Sequence, residues 1–105
     1  MGLDDLVQRM WLEQRDTALT LAEQLVLLAD TVDPPQQVVE QAYLAAHRLA
    51  GSLGMYGMPE GSELASVLEE SLMPGDDGVL DRDAFQSIAT RLRSVILLGP
   101  TASDT

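Results

Sequence analysis

Apolar residues recur along most of this chain at intervals of three and four, a spacing that predicts amphipathic helices. A first helix is expected from about Leu3 to Val32. The polar run from Glu13 to Thr17 interrupts its apolar side, which allows a kink or break near Asp16. No segment alternates regularly enough to predict a strand. The apolar side of this helix comprises Val7, Trp11, Ala18, Leu21, Leu25, Leu28 and Val32.

A second helix is predicted to begin beside a pair of prolines and to end near Leu53. Asp33 suits its N-cap, Pro34 the first helical position and Gln36 the position that completes a capping box. At about 100° per residue, the core face of this helix lies opposite His47. That face is expected to consist of Val38, Ala42, Ala45, Leu49 and Leu53. His47 is therefore expected to point to solvent from the middle of the helix.

Two shorter helices follow. The helix that carries His47 is expected to end at the glycines Gly54 and Gly57. The third starts at Pro59, and its inward side carries Leu64, Val67, Leu68 and Leu72. The fourth follows a loop at 73–78, is capped by Asp81 and stops at Gly99 and Pro100. Its inward residues are Phe85, Ile88, Leu92, Val95 and Ile96.

Four helices with short connections predict an all-α protein, an antiparallel up-down four-helix bundle. Composition supports this fold, because 18 Leu and 11 Ala stand against 2 Ile and few aromatic residues. A chain of 105 residues has room for one domain. We expect that domain to span residues 1–99, with 100–105 as a flexible C-terminal tail.

The charge balance excludes several functional classes. The formal net charge is −11, and all six basic residues are Arg, which argues against nucleic acid and anionic membranes as partners. The longest uncharged stretch, Leu49 to Pro59, is far shorter than the roughly 20 residues of a membrane span. The N-terminus has no secretory signal pattern, which predicts a cytoplasmic protein. With no Cys and one His, no metal site is expected.

Any imidazole chemistry must use His47, the single histidine. A lone histidine on a helix is most often an ordinary surface residue, so its surroundings decide its interpretation. On its face of the second helix, Gly51 follows one turn later, and Ala50 and Gly54 are also small. Glycine inside a helix costs about 1 kcal/mol relative to alanine, so Gly51 indicates a place that a partner approaches closely.

The stretch from Ala46 to Ser52, with the glycine and the leucines that follow it, resembles the histidine-containing phosphotransfer (HPt) domains of bacterial two-component phosphorelays. The segment around Trp11 and Arg15 also resembles the opening helix of such domains. The residues in the family's register are His47, Leu49, Gly51, Ser52, Gly57, Leu64, Leu68 and Glu69.

The resemblance implies a phosphocarrier that has no kinase activity of its own. His47 is expected to accept a phosphoryl group from a receiver-domain phosphoaspartate and to pass it to another receiver, in a pathway that includes a histidine kinase. An imidazole suits this role because much of it is unprotonated and nucleophilic at neutral pH. The receiver is expected to supply the aspartate, a lysine and Mg²⁺, so no cofactor is expected on this chain. We expect a monomer.

The resemblance also implies a receiver-docking surface around His47. Its expected residues are Tyr43, Leu44, Arg48, Ala50, Gly51 and Gly54, with Gln36 and Glu40 nearer the edge. Gln36 or Glu40 is the expected partner of the second ring nitrogen. Glu69 and Glu70 are expected to lie on a solvated face.

Two departures from the family pattern keep other functions open. Ala50 stands where the family usually has a lysine that is thought to help hold the phosphoryl group, and Gly61 replaces a usual leucine, which is expected to loosen the start of the third helix. The missing lysine favours a second hypothesis, a helical adaptor that binds receivers or kinases without phosphotransfer. A third hypothesis is a phosphatase acting on phosphoaspartate, which would need Gln36 or Glu40 aimed at the receiver.

Overall fold

A computed structural model describes residues 3–72 and 82–100, and it contains four helices in this part of the chain. They are α1 (Leu3–Asp30), α2 (Gln36–Met55), α3 (Pro59–Ser71) and α4 (Arg82–Leu98). Each helix packs against two neighbours: α1 and α3 both contact α2 and α4. The predicted all-α four-helix bundle is confirmed. No helix within the described ranges is both long and apolar enough to cross a membrane.

Leucine and alanine fill the core, as the helical spacing predicts. Trp11 is only 3% exposed and packs beside Tyr56, with the ring centroids 5.5 Å apart. Alanines from all four helices are buried, so the helix axes can approach closely. The sequence pattern did not single out several of these small residues: Ala22, Ala29, Ala46, Ala65 and Ala89.

Three predicted core valines are exposed instead. Val32 is 71% exposed because α1 ends two residues before it, at Asp30. Val38 is 38% exposed and lies in the first turn of α2, where no preceding turn of the helix flanks the side chain. Val67 is 41% exposed because it lies about 100° around α3 from the buried Leu68.

The predicted start of α2 is also wrong. Asp33 is not the N-cap: its φ is 50°, and α2 begins three residues later, after Pro35. A residue that precedes a proline is disfavoured in the helical region, so Pro34 cannot join the helix. Gln36 is consequently the first helical residue, and the N-terminus of α2 has no side-chain cap. In addition, α1 continues without a break through Asp16.

The connection between α2 and α3 is a tight turn at 56–58. Gly57 has a φ of 80°, in the left-handed region that glycine adopts without penalty. Its N–H donates to the carbonyl of Gly54, and the N–H of Met58 donates to the carbonyl of Leu53. These two bonds form a Schellman motif, which satisfies the last carbonyls of α2. Pro59 then occupies the start of α3, as predicted.

The stop predicted for α4 is observed, whereas three other predicted features lie outside the described residues. α4 ends at Leu98, and Gly99 has a φ of 76°, which confirms the predicted stop. The predicted loop at 73–78, the cap at Asp81 and the tail after Pro100 lie outside the described residues, and the domain boundary at residue 99 stays a prediction.

Gly61 tightens the bundle, contrary to the expectation that it loosens α3. It is buried, and a Cβ at this position would lie 2.9 Å from Cδ1 of Leu53 and 3.3 Å from Cγ1 of Val95. Those side chains belong to α2 and α4, so the absent side chain of Gly61 lets α3 approach both neighbours. The family's usual leucine would not fit here without repacking.

We therefore expect Gly61→Leu to lower the free energy of unfolding by roughly 1–3 kcal/mol, the usual cost of overpacking a core. Urea unfolding followed by circular dichroism measures this change. Gly51→Ala is the matched control, because among the described residues its added Cβ has nothing within 4 Å beyond its own stretch of helix, and alanine raises helix stability by up to about 1 kcal/mol. Wild-type stability in Gly61→Leu would contradict the packing argument.

Candidate functional site

His47 lies near the middle of α2 on the side away from the core. Ala45 and Leu49 are buried on the opposite side, so the helix itself directs the imidazole outward. The His47 side chain is 65% exposed. The position expected from the helical spacing is therefore the one observed, and the ring is accessible to a large partner.

Glu69 of α3 holds one nitrogen of this exposed ring. Its Oε2 lies 2.8 Å from Nδ1 of His47, across the interface between α2 and α3. The Glu69 side chain is only 19% exposed, so the carboxylate reaches His47 from a partly shielded position. This contact corrects the expectation that Glu69 belongs to a solvated face. Glu69 was already among the residues that match the family motif. The sequence did not show that α3 packs against α2 and so brings Glu69 to His47.

The hydrogen bond fixes the chemistry of the two ring nitrogens. An ionised carboxylate can only accept hydrogen bonds, so Nδ1 of His47 is the donor to Glu69. In a neutral imidazole the other nitrogen, Nε2, then carries the lone pair. Nδ1 of His47 therefore contacts a carboxylate, and Nε2 is the nitrogen left to react with a partner, in a side chain that is 65% exposed.

Gln36 and Glu40 do not orient the ring. Both are exposed on α2, and Gln36 lies 11 residues before His47, which is about 16 Å along a helix axis. Glu40 lies seven residues before His47, about two turns away. The expectation that one of them contacts the second nitrogen is wrong, because Glu69 makes that contact; both side chains remain exposed on α2, so the phosphatase hypothesis stays a prediction.

The small residues near His47 have different surroundings. Gly51 is exposed, and a Cβ there would have nothing within 4 Å. Gly54 lies at the α2–α3 interface, where a Cβ would be 3.6 Å from Oγ of Ser62. Ala50 is half-buried, and its carbonyl accepts a hydrogen bond of 2.6 Å from Ser62. No contact within the bundle explains a glycine at position 51.

The remaining predicted docking residues surround the imidazole on α2. Tyr43 is half-buried, and its ring stacks on that of His47, with centroids 6.3 Å apart and planes at 18°. Leu44 and Arg48 are exposed. Among the described residues, Arg48 has no hydrogen bond or ion pair, in contrast to Arg91, which pairs with Glu60 at 2.7 Å.

The charge around the site is mainly negative. α2 and α3 together carry five glutamates and one arginine, Arg48. No cluster of three or more His, Asp or Glu side chains in the described part of the chain could hold a metal ion. The site therefore combines one exposed nucleophile, one orienting carboxylate and a neighbouring surface of small and apolar side chains.

Comparison with known families agrees with this arrangement. The sequence model of the Hpt domain matches residues 5–96, a range that includes parts of all four helices as well as His47 and Glu69. Neither curated proteins nor solved structures gave a significant match.

Proposed function

This chain belongs to the Hpt domain family, and from that premise we propose that it is a phosphocarrier in a multistep two-component phosphorelay. Family membership implies a general role in phosphotransfer signalling, with receiver and kinase proteins as partners and no kinase activity of its own. The more specific proposal is that His47 accepts a phosphoryl group from one receiver and returns it to another. The observation that carries it is an imidazole that is 65% exposed and whose Nδ1 contacts Glu69, so that Nε2 is the nitrogen left for a partner.

In the proposed step, the Nε2 lone pair of His47 attacks the phosphorus of a receiver phosphoaspartate. The new P–N bond forms as the P–O bond to the aspartyl carboxylate breaks, and the carboxylate leaves with the electron pair. No proton has to move, because Nδ1 keeps its hydrogen throughout. The imidazole becomes positively charged, and Glu69 at 2.8 Å stabilises that charge. The reverse sequence returns the phosphoryl group to a receiver.

The partner is proposed to supply the rest of the catalytic apparatus. Phosphoryl transfer depends mainly on positioning and on cations that neutralise the phosphoryl oxygens. We propose that Mg²⁺ and a lysine of the receiver fulfil this role, because Arg48 is the one basic residue of α2 and α3. Action as a cytoplasmic monomer is part of the same proposal.

The adaptor hypothesis remains the second candidate, and one observation favours it. Ala50 replaces the family's usual lysine and is half-buried against the core, so this position offers no cation to a phosphoryl group. An adaptor would bind receivers with equal affinity whether or not His47 is present, and it would acquire no label.

The test is incubation with a receiver domain carrying radiolabelled phosphoaspartate. A phosphocarrier should acquire label that is lost in acid and retained in base, as a phosphoramidate is, while the receiver loses label in parallel. Receiver binding without label would support the adaptor. Faster loss of receiver phosphate without label on this chain would indicate a phosphatase.

Gly51 gives a separate test of the docking surface. Gly51→Gln places a side chain where the free protein leaves open space, one turn after His47. We expect the receiver Kd to rise at least tenfold, about 1.4 kcal/mol, while the fold stays intact. Isothermal titration calorimetry measures the Kd, and Ser87→Gln on an exposed position of α4 is the control. Unchanged affinity in Gly51→Gln would place the docking surface elsewhere.

A further inference from the structure

Tyr43 lies beside the His47 ring in a nearly parallel, widely offset stack. It lies four residues earlier on α2, a spacing at which side chains on a helix are neighbours. The centroid distance of 6.3 Å and the angle of 18° are those of an offset stack. Tyr43 is itself half-buried, so its ring has a more fixed position than that of the largely exposed His47.

Without such a neighbour, the other contacts of His47 do not fix the orientation of its ring. The torsion that turns an imidazole about its Cβ–Cγ bond has broad minima, and a half-turn exchanges Nδ1 with a ring carbon. The side chain is 65% exposed, so core packing does not select one orientation. The hydrogen bond to Glu69 fixes a single atom of the ring, Nδ1, and leaves the ring plane free to rock about that contact.

We propose that Tyr43 is a positioning residue: its stack holds the imidazole plane so that Nδ1 stays on Glu69 and Nε2 faces the incoming phosphorus. The kinetic part of this inference rests on the proposed phosphocarrier function, whereas its structural part does not. The aromatic ring, and not the hydroxyl, provides the effect, since the structure gives the hydroxyl no contact with His47. Tyr43 then differs in role from Gly51, which acts by leaving space.

The test compares Tyr43→Phe with Tyr43→Leu in the full chain. Because His47 is the single histidine, its ring ¹⁵N resonances are unambiguous in a histidine-labelled sample. At alkaline pH, Tyr43→Phe should keep the tautomer with hydrogen on Nδ1, and Tyr43→Leu should show a larger share of the other tautomer. Phosphoryl transfer from a labelled receiver should slow roughly two- to tenfold in Tyr43→Leu, the range expected from one stacked pair. Transfer rates are measured at saturating receiver, so that a change in the receiver Kd does not contribute to them.

Three results would overturn the inference. One is a Tyr43→Leu spectrum identical to that of the wild type. Another is an equal loss in Tyr43→Phe, which would assign the effect to the hydroxyl. The third is a raised receiver Kd with an unchanged transfer rate, which would make Tyr43 a docking contact only. A tautomer shift in a chain that accepts no phosphoryl group would support the positioning role and refute the phosphocarrier function, so the two failures are distinguishable.

Discussion

Replacing His47 by glutamine should abolish phosphorylation of this chain by a labelled receiver. The sequence contains no second imidazole, and the described residues include no Cys that could accept the group instead. Glutamine has a similar size and can donate its amide hydrogen to Glu69, so the fold and the α2–α3 contact should persist. The measurement is incorporation of label per chain, with circular dichroism as a check that the variant is folded.

Gln41→Ala, on an exposed position of the same helix, is the matched control and should take up label as the wild type does. Acid-labile label on His47→Gln would mean that another group is the acceptor, and the phosphocarrier proposal would then be wrong in its central residue. Normal receiver binding by the unlabelled variant is expected, since the substitution leaves the surrounding surface in place.

Removing the carboxylate of Glu69 should produce the second largest effect. In Glu69→Ala, Nδ1 of His47 loses its acceptor, and the positive charge formed on phosphorylation loses its counter-charge. We expect the transfer rate to fall roughly 10- to 100-fold, the range found when a carboxylate that orients a metal-binding imidazole is removed. The transfer rate of Glu69→Gln should lie between those of the wild type and Glu69→Ala, because the amide oxygen accepts the hydrogen bond but carries no charge. Rapid-quench kinetics under single-turnover conditions measures the rate.

Glu70→Gln is the control for charge alone. It removes one negative charge from the adjacent, exposed position of α3 without touching His47. Its transfer rate should stay within about twofold of the wild type, because the interaction between exposed charges is weak and screened by salt. If Glu70→Gln and Glu69→Gln slow transfer equally, the effect comes from the net charge of α3 and the hydrogen bond has no special role.

Much of the fold was predictable because helical periodicity and turn residues act locally. The start of α3 follows from Pro59 and the end of α4 from Gly99, and both were identified from the sequence. The start of α2 was mispredicted because two favourable signals, Asp33 and Pro34, were outweighed by the restriction that Pro35 places on the residue before it. The buried side of α3 depends on which helices it meets, which is why Val67 was misassigned and Gly61 misread.

The candidate site was likewise predictable in part: features within one helix follow from the sequence, and a contact between helices does not. The exposure of His47 follows from the angular positions of residues on one helix, so the sequence alone predicted it. Its hydrogen bond to Glu69 spans 22 residues and two helices, and no periodicity within α2 could indicate it. Gln36 and Glu40 were predicted as partners of the ring because a sequence pattern gives angular positions and distances within one helix, here α2, and not between helices.

The tight turn at 56–58 has a consequence for the reacting group. It joins the helices that carry His47 and Glu69, and its two hydrogen bonds allow little variation in its length. An added residue there would disrupt the hydrogen bond from the Met58 N–H to the Leu53 carbonyl and lengthen the connection, so the end of α2 would no longer fix where α3 begins. The length of the turn therefore helps to set the position of Glu69 relative to His47, so the number of residues in it is constrained by the same hydrogen bond as the identities of those two residues.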